Sequence, residues 1–272
     1  MRESDLRLLL AAQTDRPIAH LPHGTVDAGA DVARDALVAI PAESFVIADA
    51  VTEHHLLTLG QLAGKQSLVT GGSGIAMGLP AAYRVEGLLS SDIHDAPLPT
   101  ARGKVAVLAG SCSQATLRQV ARFEETHPVL RVGADAIVAD VNRQVEHACD
   151  WITSQPTTGL VTTSVEPGEL PALQQRHGLE LVSERVERFF GELASLLVTT
   201  GDVGRLIVAG GETSGAVVKR LNIARLRIGP EIAPGVPWTN ATVHEPDDLA
   251  LALKSGNFGG DDFFREALEM LP

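Results

Sequence analysis

The chain has 272 residues, 44% of them hydrophobic and 21% charged, with a formal net charge of −12. That is the make-up of a globular protein with a sizeable core, and its acidity argues against the basic face on which non-specific nucleic-acid or anionic-membrane binding depends. An anionic ligand stays open, because a local site can be positive inside an acidic protein. The two cysteines, Cys112 and Cys149, belong to no CxxC pair, so neither a disulfide framework nor a zinc site is expected, and a cytoplasmic setting is. The first residues lack the basic-then-apolar order of a secretion signal, and no apolar run is long enough to span a bilayer.

Short apolar runs alternate with helical patterns along almost the whole chain. In order, strands are expected at 17–21, 44–50, 67–72, 104–110, 129–134, 159–165, 205–211, 224–229 and 249–254. Helices are expected at 25–40, 53–64, 74–89, 113–127, 135–154, 181–200, 213–222 and 263–271. Strands joined by crossover helices predict an α/β fold, a mostly parallel sheet covered by helices on both faces in three layers. The polar, proline-bearing stretch 89–104 is the expected domain boundary.

Four turns rich in glycine or serine each follow an expected strand: TGGSG (70–74), AGSCSQAT (109–116), AGGETSGA (209–216) and KSGNFGG (254–260). Ligands of open parallel sheets bind outside the carboxyl ends of the strands, so four such turns at one edge carry more than any one of them. Ser111 and Ser113 sit where their hydroxyls cap a helix or hold a phosphate oxygen. Gly210 and Gly211 permit close approach, and Thr213 can cap. Glu212 repels phosphate and suits a hydroxyl or a magnesium-related role. Gly256, Gly259 and Gly260 give the last loop its freedom, and Asp261 and Asp262 supply an N-cap and first-turn acids to the closing helix.

Other signatures fail. GQLAGKQ (60–66) has the wrong glycine spacing for a phosphate-binding P-loop, and GSGIAMG (72–78) places its third glycine one residue late for a dinucleotide fingerprint. The nine histidines are scattered, and no metal ligand set is assigned.

The segments VLAGSCSQAT, LIVAGGETSGAVVKRLNI, IGPEIAPGVPW and LALKSGNFGGDDFFREAL follow one another with spacing that resembles the four-carbon acid sugar kinases, namely the 3-oxo-tetronate, D-threonate and D-erythronate kinases. The resemblance extends over the whole chain and implies an ATP- and Mg2+-dependent kinase with a C-terminal three-layer α/β/α nucleotide-binding domain. It implies ATP contacts at Ser111, along Gly210–Thr213 and at Gly256. Ser113, Lys254 and Gly259 stand in the same turns, with Lys254 a counter-charge to phosphate. Gly72, Ser73 and Gly74 become candidates on the sugar-acid side.

The family begins with an aspartate-rich strand and a long substrate domain that this chain lacks. Residues 1–90 are therefore expected to be the C-terminal part of a sugar-acid-binding domain, and residues 103–272 the nucleotide-binding domain. A separately encoded N-terminal half is an expected partner, and a homo-oligomer is compatible with the sequence. No catalytic residue is assigned. Two functions follow: phosphorylation of a four-carbon sugar acid, or nucleotide binding without catalysis as a module or partner subunit.

Overall fold

The computed structural model describes residues 3–90, 97, 103–163, 176–244 and 247–271. The chain divides into two compact units, Met1–His94 and Asp95–Pro272. Most of the expected boundary at 89–104 lies outside the described residues.

The larger unit carries a seven-stranded sheet. Its strands, with β1 and β2 belonging to the smaller unit, are β3 (Lys104–Ala109), β4 (Val129–Arg131), β5 (Gly159–Thr162), β6 (Val203–Ala209), β7 (Arg227–Ala233), β8 (Val236–His244) and β9 (Asp247–Lys254). They lie in the order β4-β5-β3-β6-β9-β8-β7. The first five are parallel to one another, while β8 is antiparallel to β9 and to β7.

Alternation along the central strands sends side chains into two cores. Ala106 and Leu108 of β3 face a cluster completed by Phe189, Phe190 and Leu193 of the long helix Leu179–Thr199. Val107 and Ala109 face the other cluster, with Phe123 of helix Gln114–Glu124 and with Phe263 and Phe264 of helix Phe263–Glu269. Helices on both faces of a mostly parallel sheet are the three-layer α/β/α arrangement that the alternation of elements predicts.

Strand β8 was not expected. Its Trp238 is fully buried and donates its indole N–H to the Ala267 carbonyl at 3.2 Å, which ties the antiparallel extension to the closing helix. The expected helix 135–154 is two, Ala134–Ala139 and Val141–Ser154. Asp140, at φ −156° and ψ 92°, breaks the first and caps the second by accepting from Arg143 N–H.

The smaller unit has two parallel strands, β1 (Ile18–Leu21) and β2 (Phe45–Ala48). Around them lie short helices, of which Glu53–Ala63 is the longest. Its principal core is Leu21, Val26, Ala33, Leu59 and Leu62. The strand expected at 67–72 is absent: these residues have no regular structure and lead into a 3-10 helix, Ser73–Gly78. Among the described residues no helix is long and apolar enough to cross a membrane.

Candidate functional site

Three of the four glycine turns leave the carboxyl ends of β3, β6 and β9, which are neighbours in the sheet. The fourth, 70–74, follows no strand and belongs to the smaller unit, so the expectation of four turns at one edge is corrected to three.

The turns after β3 and β6 meet through missing side chains. A Cβ on Gly110 would overlap Thr213 Oγ1 and come within 2.9 Å of the Phe190 ring. Gly210 has φ +127°, a conformation few L-residues adopt, and a Cβ there would lie 2.8 Å from Thr213 Oγ1 and 3.3 Å from Ser111 N. Gly210 is the N-cap of the ten-residue helix Gly211–Arg220. Its own N–H donates to the Lys254 carbonyl at 2.9 Å, which fastens this turn to the end of β9.

A cavity of about 460 Å³ opens beside these turns. Ser111 and Gly210–Thr213 form its polar floor, and Leu179, Val182 and Val186 of the long helix form an apolar wall that also carries Ser183 and Glu187. The helix Gly211–Arg220 begins at this floor. Its first N–H groups have no partner within the helix, and its dipole favours negative charge there. A Cβ on Gly211 would meet nothing within 4 Å, so that position is open. Glu212 is exposed in the first helical turn. Five of the residues expected from sequence therefore line one cavity: Ser111, Gly210, Gly211, Glu212 and Thr213.

The other four support it. The Gly256 carbonyl accepts from Ser113 Oγ at 2.7 Å, Thr116 Oγ1 at 2.9 Å and Lys254 Nζ at 2.9 Å. The glycine is needed because a Cβ there would run into the Ser111 and Ser113 hydroxyls, so the close approach it permits is between two loops of the protein. Lys254 is 1% exposed and also donates to Ser255 O at 3.1 Å and Thr116 Oγ1 at 3.3 Å. Burial pushes its ammonium down from the ordinary 10.5 to about 8. Expected as a phosphate counter-charge, Lys254 is committed here to the loop. Gly259, at φ +78°, leaves room for the Phe263 ring and does not line the cavity.

Ser113 caps helix Gln114–Glu124 by accepting from Thr116 N–H. Asp262 stands at the N-cap of the closing helix but makes no side-chain cap. Its carboxylate instead binds Arg122, at 3.1 Å, and Arg265.

Two residues of this support escaped the sequence reading. Thr116 is one, and Gln119 is the other, its amide donating to Phe258 O, Gly259 O and Gly260 O at 3.0, 3.2 and 2.8 Å. Ser113, Thr116 and Gln119 recur every third position, one helical face turned to one loop, and that spacing is the signal that would have found them.

In the smaller unit, Gly72 and Gly74 line an apolar cavity of about 480 Å³, and Ser73 does not. The histidines set aside from sequence include two paired ones. His20 Nε2 lies 2.9 Å from Asp49 Oδ2, just where the two parallel strands end. Asp49 also accepts from His23 N–H at 3.3 Å. His55 is buried. Its Nδ1 accepts from Val51 N–H at 3.0 Å, so its Nε2 carries the proton toward Asp27 Oδ1, also 3.0 Å away. Among the described residues no group of three or more His, Cys, Asp or Glu side chains is placed to hold a metal.

A parallel sheet whose turns converge with a helix N-terminus on one cavity defines a nucleotide-binding class of fold, and sequence comparison agrees. Residues 106–264 match the family described as the nucleotide-binding C-terminal domain, and residues 1–79 match the sugar-binding N-terminal domain. The chain belongs to the four-carbon acid sugar kinase family. It is 42% identical over 274 residues to a 3-oxo-tetronate kinase of Pseudomonas fluorescens and 38% identical over 275 residues to one of Brucella melitensis. It spans 63% and 61% of their respective lengths. Among solved structures, a Salmonella typhimurium LT2 protein shares 37% identity with a TM-score of 0.77. A Haemophilus influenzae protein shares 34% with a TM-score of 0.67. The match covers 100% and 99% of this chain, and 64% of each of theirs.

Proposed function

We propose that this chain binds ATP at the carboxyl edge of its seven-stranded sheet and serves a kinase that phosphorylates a hydroxyl of a four-carbon sugar acid. The observation that carries the reading is the convergence of Ser111 and Gly210–Thr213, from two neighbouring parallel strands, on one cavity floored by a helix N-terminus. In this reading the N–H groups of Gly211, Glu212 and Thr213 and the Ser111 hydroxyl hold phosphate oxygens. The base lies against Leu179, Val182 and Val186. Ser113, Lys254, Gly256 and Gly259 hold the floor in place without touching the nucleotide.

Magnesium would come mainly on the phosphates, with Glu212 as its protein carboxylate, since Mg2+ is bound through one or two carboxylates and several waters. It would neutralise charge on the phosphate oxygens. Residues 103–272 form the nucleotide-binding domain in this proposal, and residues 1–90, with Gly72, Ser73 and Gly74, belong to a sugar-acid-binding domain. The acceptor oxygen attacks the γ-phosphorus as its bond to the ADP oxygen breaks, and the hydroxyl proton passes to a base. Such transfer is mostly positioning and charge neutralisation.

The names of the relatives, 3-oxo-tetronate kinase, support a sugar-acid acceptor. A second reading is nucleotide binding with little transfer, since every cavity residue given a role is assigned to phosphate, magnesium or the adenine base and none to the acceptor. Holding the acceptor in line is worth roughly 7–11 kcal/mol of the barrier. Calorimetric titration with MgADP and with NAD tests the first part: ADP is expected to bind and NAD is not. Tight NAD binding without ADP binding would overturn it. Phosphate transfer to D-threonate, D-erythronate and 3-oxo-tetronate by the chain alone separates the two readings.

A further inference from the structure

We infer that the larger unit carries a second binding site, held by Arg225 and Arg227, for the phosphate ester of a small polar molecule. It lies at the end of the sheet opposite the nucleotide cavity and stands whether or not ADP binds there.

The site is a cavity of about 390 Å³ lined by Asn222, Ala224, Arg225, Arg227, Asn240 and Thr242. Its place follows from the strand register. Arg227 opens β7 and pairs with Asn240 of β8, which pairs with Ala250 of β9, which pairs with Arg205 near the start of β6. The nucleotide turns leave the other ends of β6 and β9. The helix Gly211–Arg220 joins the two ends. Its first turn floors the nucleotide cavity, and the link after its last turn, ~15 Å further on for ten residues, borders this one.

The sequence of that link, LNIARLR (221–227), decides which groups it presents. Leu221, Ile223 and Leu226 pack on the core, while Asn222, Ala224, Arg225 and Arg227 face the cavity. Asn222 has φ +53°, a left-handed conformation that asparagine adopts more readily than most residues. Its N–H donates to Lys219 O at 3.1 Å, and Ile223 N–H donates to Val218 O at 3.1 Å. The rim is therefore pinned to the helix end on one side and to β7 on the other.

The charge is what points to a ligand. The chain has 34 acidic residues against 22 lysines and arginines, and Arg118, Arg122, Arg131 and Arg220 each meet a carboxylate. Arg225 and Arg227 are exposed and, among the described residues, have no carboxylate within ion-pair distance. Two guanidiniums at one cavity present the forked donors that match phosphate oxygens. Beside them, Asn222, Asn240 and Thr242 suit the hydroxyls of an attached body, since an amide or hydroxyl takes more than one partner. The volume falls in the range of small-molecule sites. Ala224 is the one apolar liner among the described residues, so a nucleobase finds no wall like that of Leu179, Val182 and Val186.

Calorimetric titration of the full chain with 3-phosphoglycerate, inorganic phosphate and glycerate tests the site. 3-Phosphoglycerate is expected to bind, inorganic phosphate roughly tenfold more weakly, and glycerate not measurably. Arg225→Gln with Arg227→Gln, both at exposed positions, is expected to lower 3-phosphoglycerate affinity at least roughly tenfold, and Gly211→Ala to leave it unchanged. Amide hydrogen exchange, which needs no variant, is expected to show new protection at residues 222–227 and 240–242 when 3-phosphoglycerate is added. Absence of binding, binding indifferent to the double substitution, or protection confined to residues 110–113 and 210–214 overturns the inference. Equal affinity for inorganic phosphate overturns the ester as ligand, and equal affinity for glycerate overturns the phosphate. A chain that binds 3-phosphoglycerate here but fails to bind ADP keeps this site and sinks the nucleotide reading.

Discussion

The two sheets of this molecule are built from similar sequence and end in different states. In the seven-stranded sheet, β3 and β6 have helices on both faces, and residues 106–109 and 206–209 are completely buried. In the two-stranded sheet, β2 has comparable apolar content and none of it is fully buried, with Phe45 39% and Val46 37% exposed. The first sheet has its turns locked: the Gly256 carbonyl accepts three hydrogen bonds, two from the start of helix Gln114–Glu124 and one from the end of its own strand. The second has glycines, Gly72 and Gly74, that line an open apolar cleft. A glycine-rich turn becomes a site only when a finished core fixes what lies on either side of it.

The largest expected effect breaks the molecule along this division. Residues 95–272 expressed alone are expected to unfold cooperatively and to bind ADP as the full chain does. Residues 1–94 alone are expected to show no cooperative thermal transition, because their core is a handful of side chains. A sharp calorimetric transition for 1–94 would contradict the contrast.

Within the finished unit, Gly110→Val is expected to destabilise by about 2–4 kcal/mol, since its side chain meets Thr213 and the Phe190 ring. Gly211→Ala sharpens the point. Nothing lies near that position, so stability is expected to change by less than ~0.5 kcal/mol while ADP affinity falls roughly tenfold, because the methyl enters the cavity. Equal losses of stability and affinity for Gly211→Ala would mean the turn serves the fold alone. Gln119→Ala is expected to cost about 1–3 kcal/mol through the three carbonyls it leaves unmet.

These positions also mark how far the sequence could be read. The strands of the parallel sheet were legible because a strand buried on both faces is a continuous apolar run, and the glycine turns after β3, β6 and β9 were legible as punctuation. Strand β8 was not, because VPWTNATVH contains a proline, polar residues and one large aromatic, and its place depends on pairing with β9. Segment 67–72 misled because local apolarity was counted without a neighbour to pair it. Asp140 broke a helix that periodicity made continuous. At the cavity, Ser111 and Gly210–Thr213 are legible as turn residues that line it, while Thr116 and Gln119 are not. Their i, i+3 spacing with Ser113 marks a shared helical face, but the loop that face meets lies about 140 residues away and no local pattern names it.

Lys254 gives a pH-dependent test of the support. Its folded value of about 8 lies below the ordinary 10.5, so between those values the unfolded chain binds the extra proton. Stability from this group therefore rises as pH goes from about 8 to about 10.5, by up to ~3 kcal/mol. Denaturant melts of the wild type and Lys254→Met across that range are expected to diverge in favour of the wild type as pH rises. Parallel pH profiles would show that burial does not depress Lys254. The smallest effect is expected at Arg118, whose ion pair with Asp261 is exposed at both ends: Arg118→Ala should cost less than ~1 kcal/mol.

Amide hydrogen exchange of the full chain with and without MgADP tests the central claim most directly, because it reports where the nucleotide lands as well as whether it binds. New protection is expected at the amides of residues 110–113 and 210–214, with residues 44–48 and 68–75 of the smaller unit unchanged. Protection confined to the smaller unit, or binding that leaves both turns of the larger sheet exchanging as before, would contradict the account.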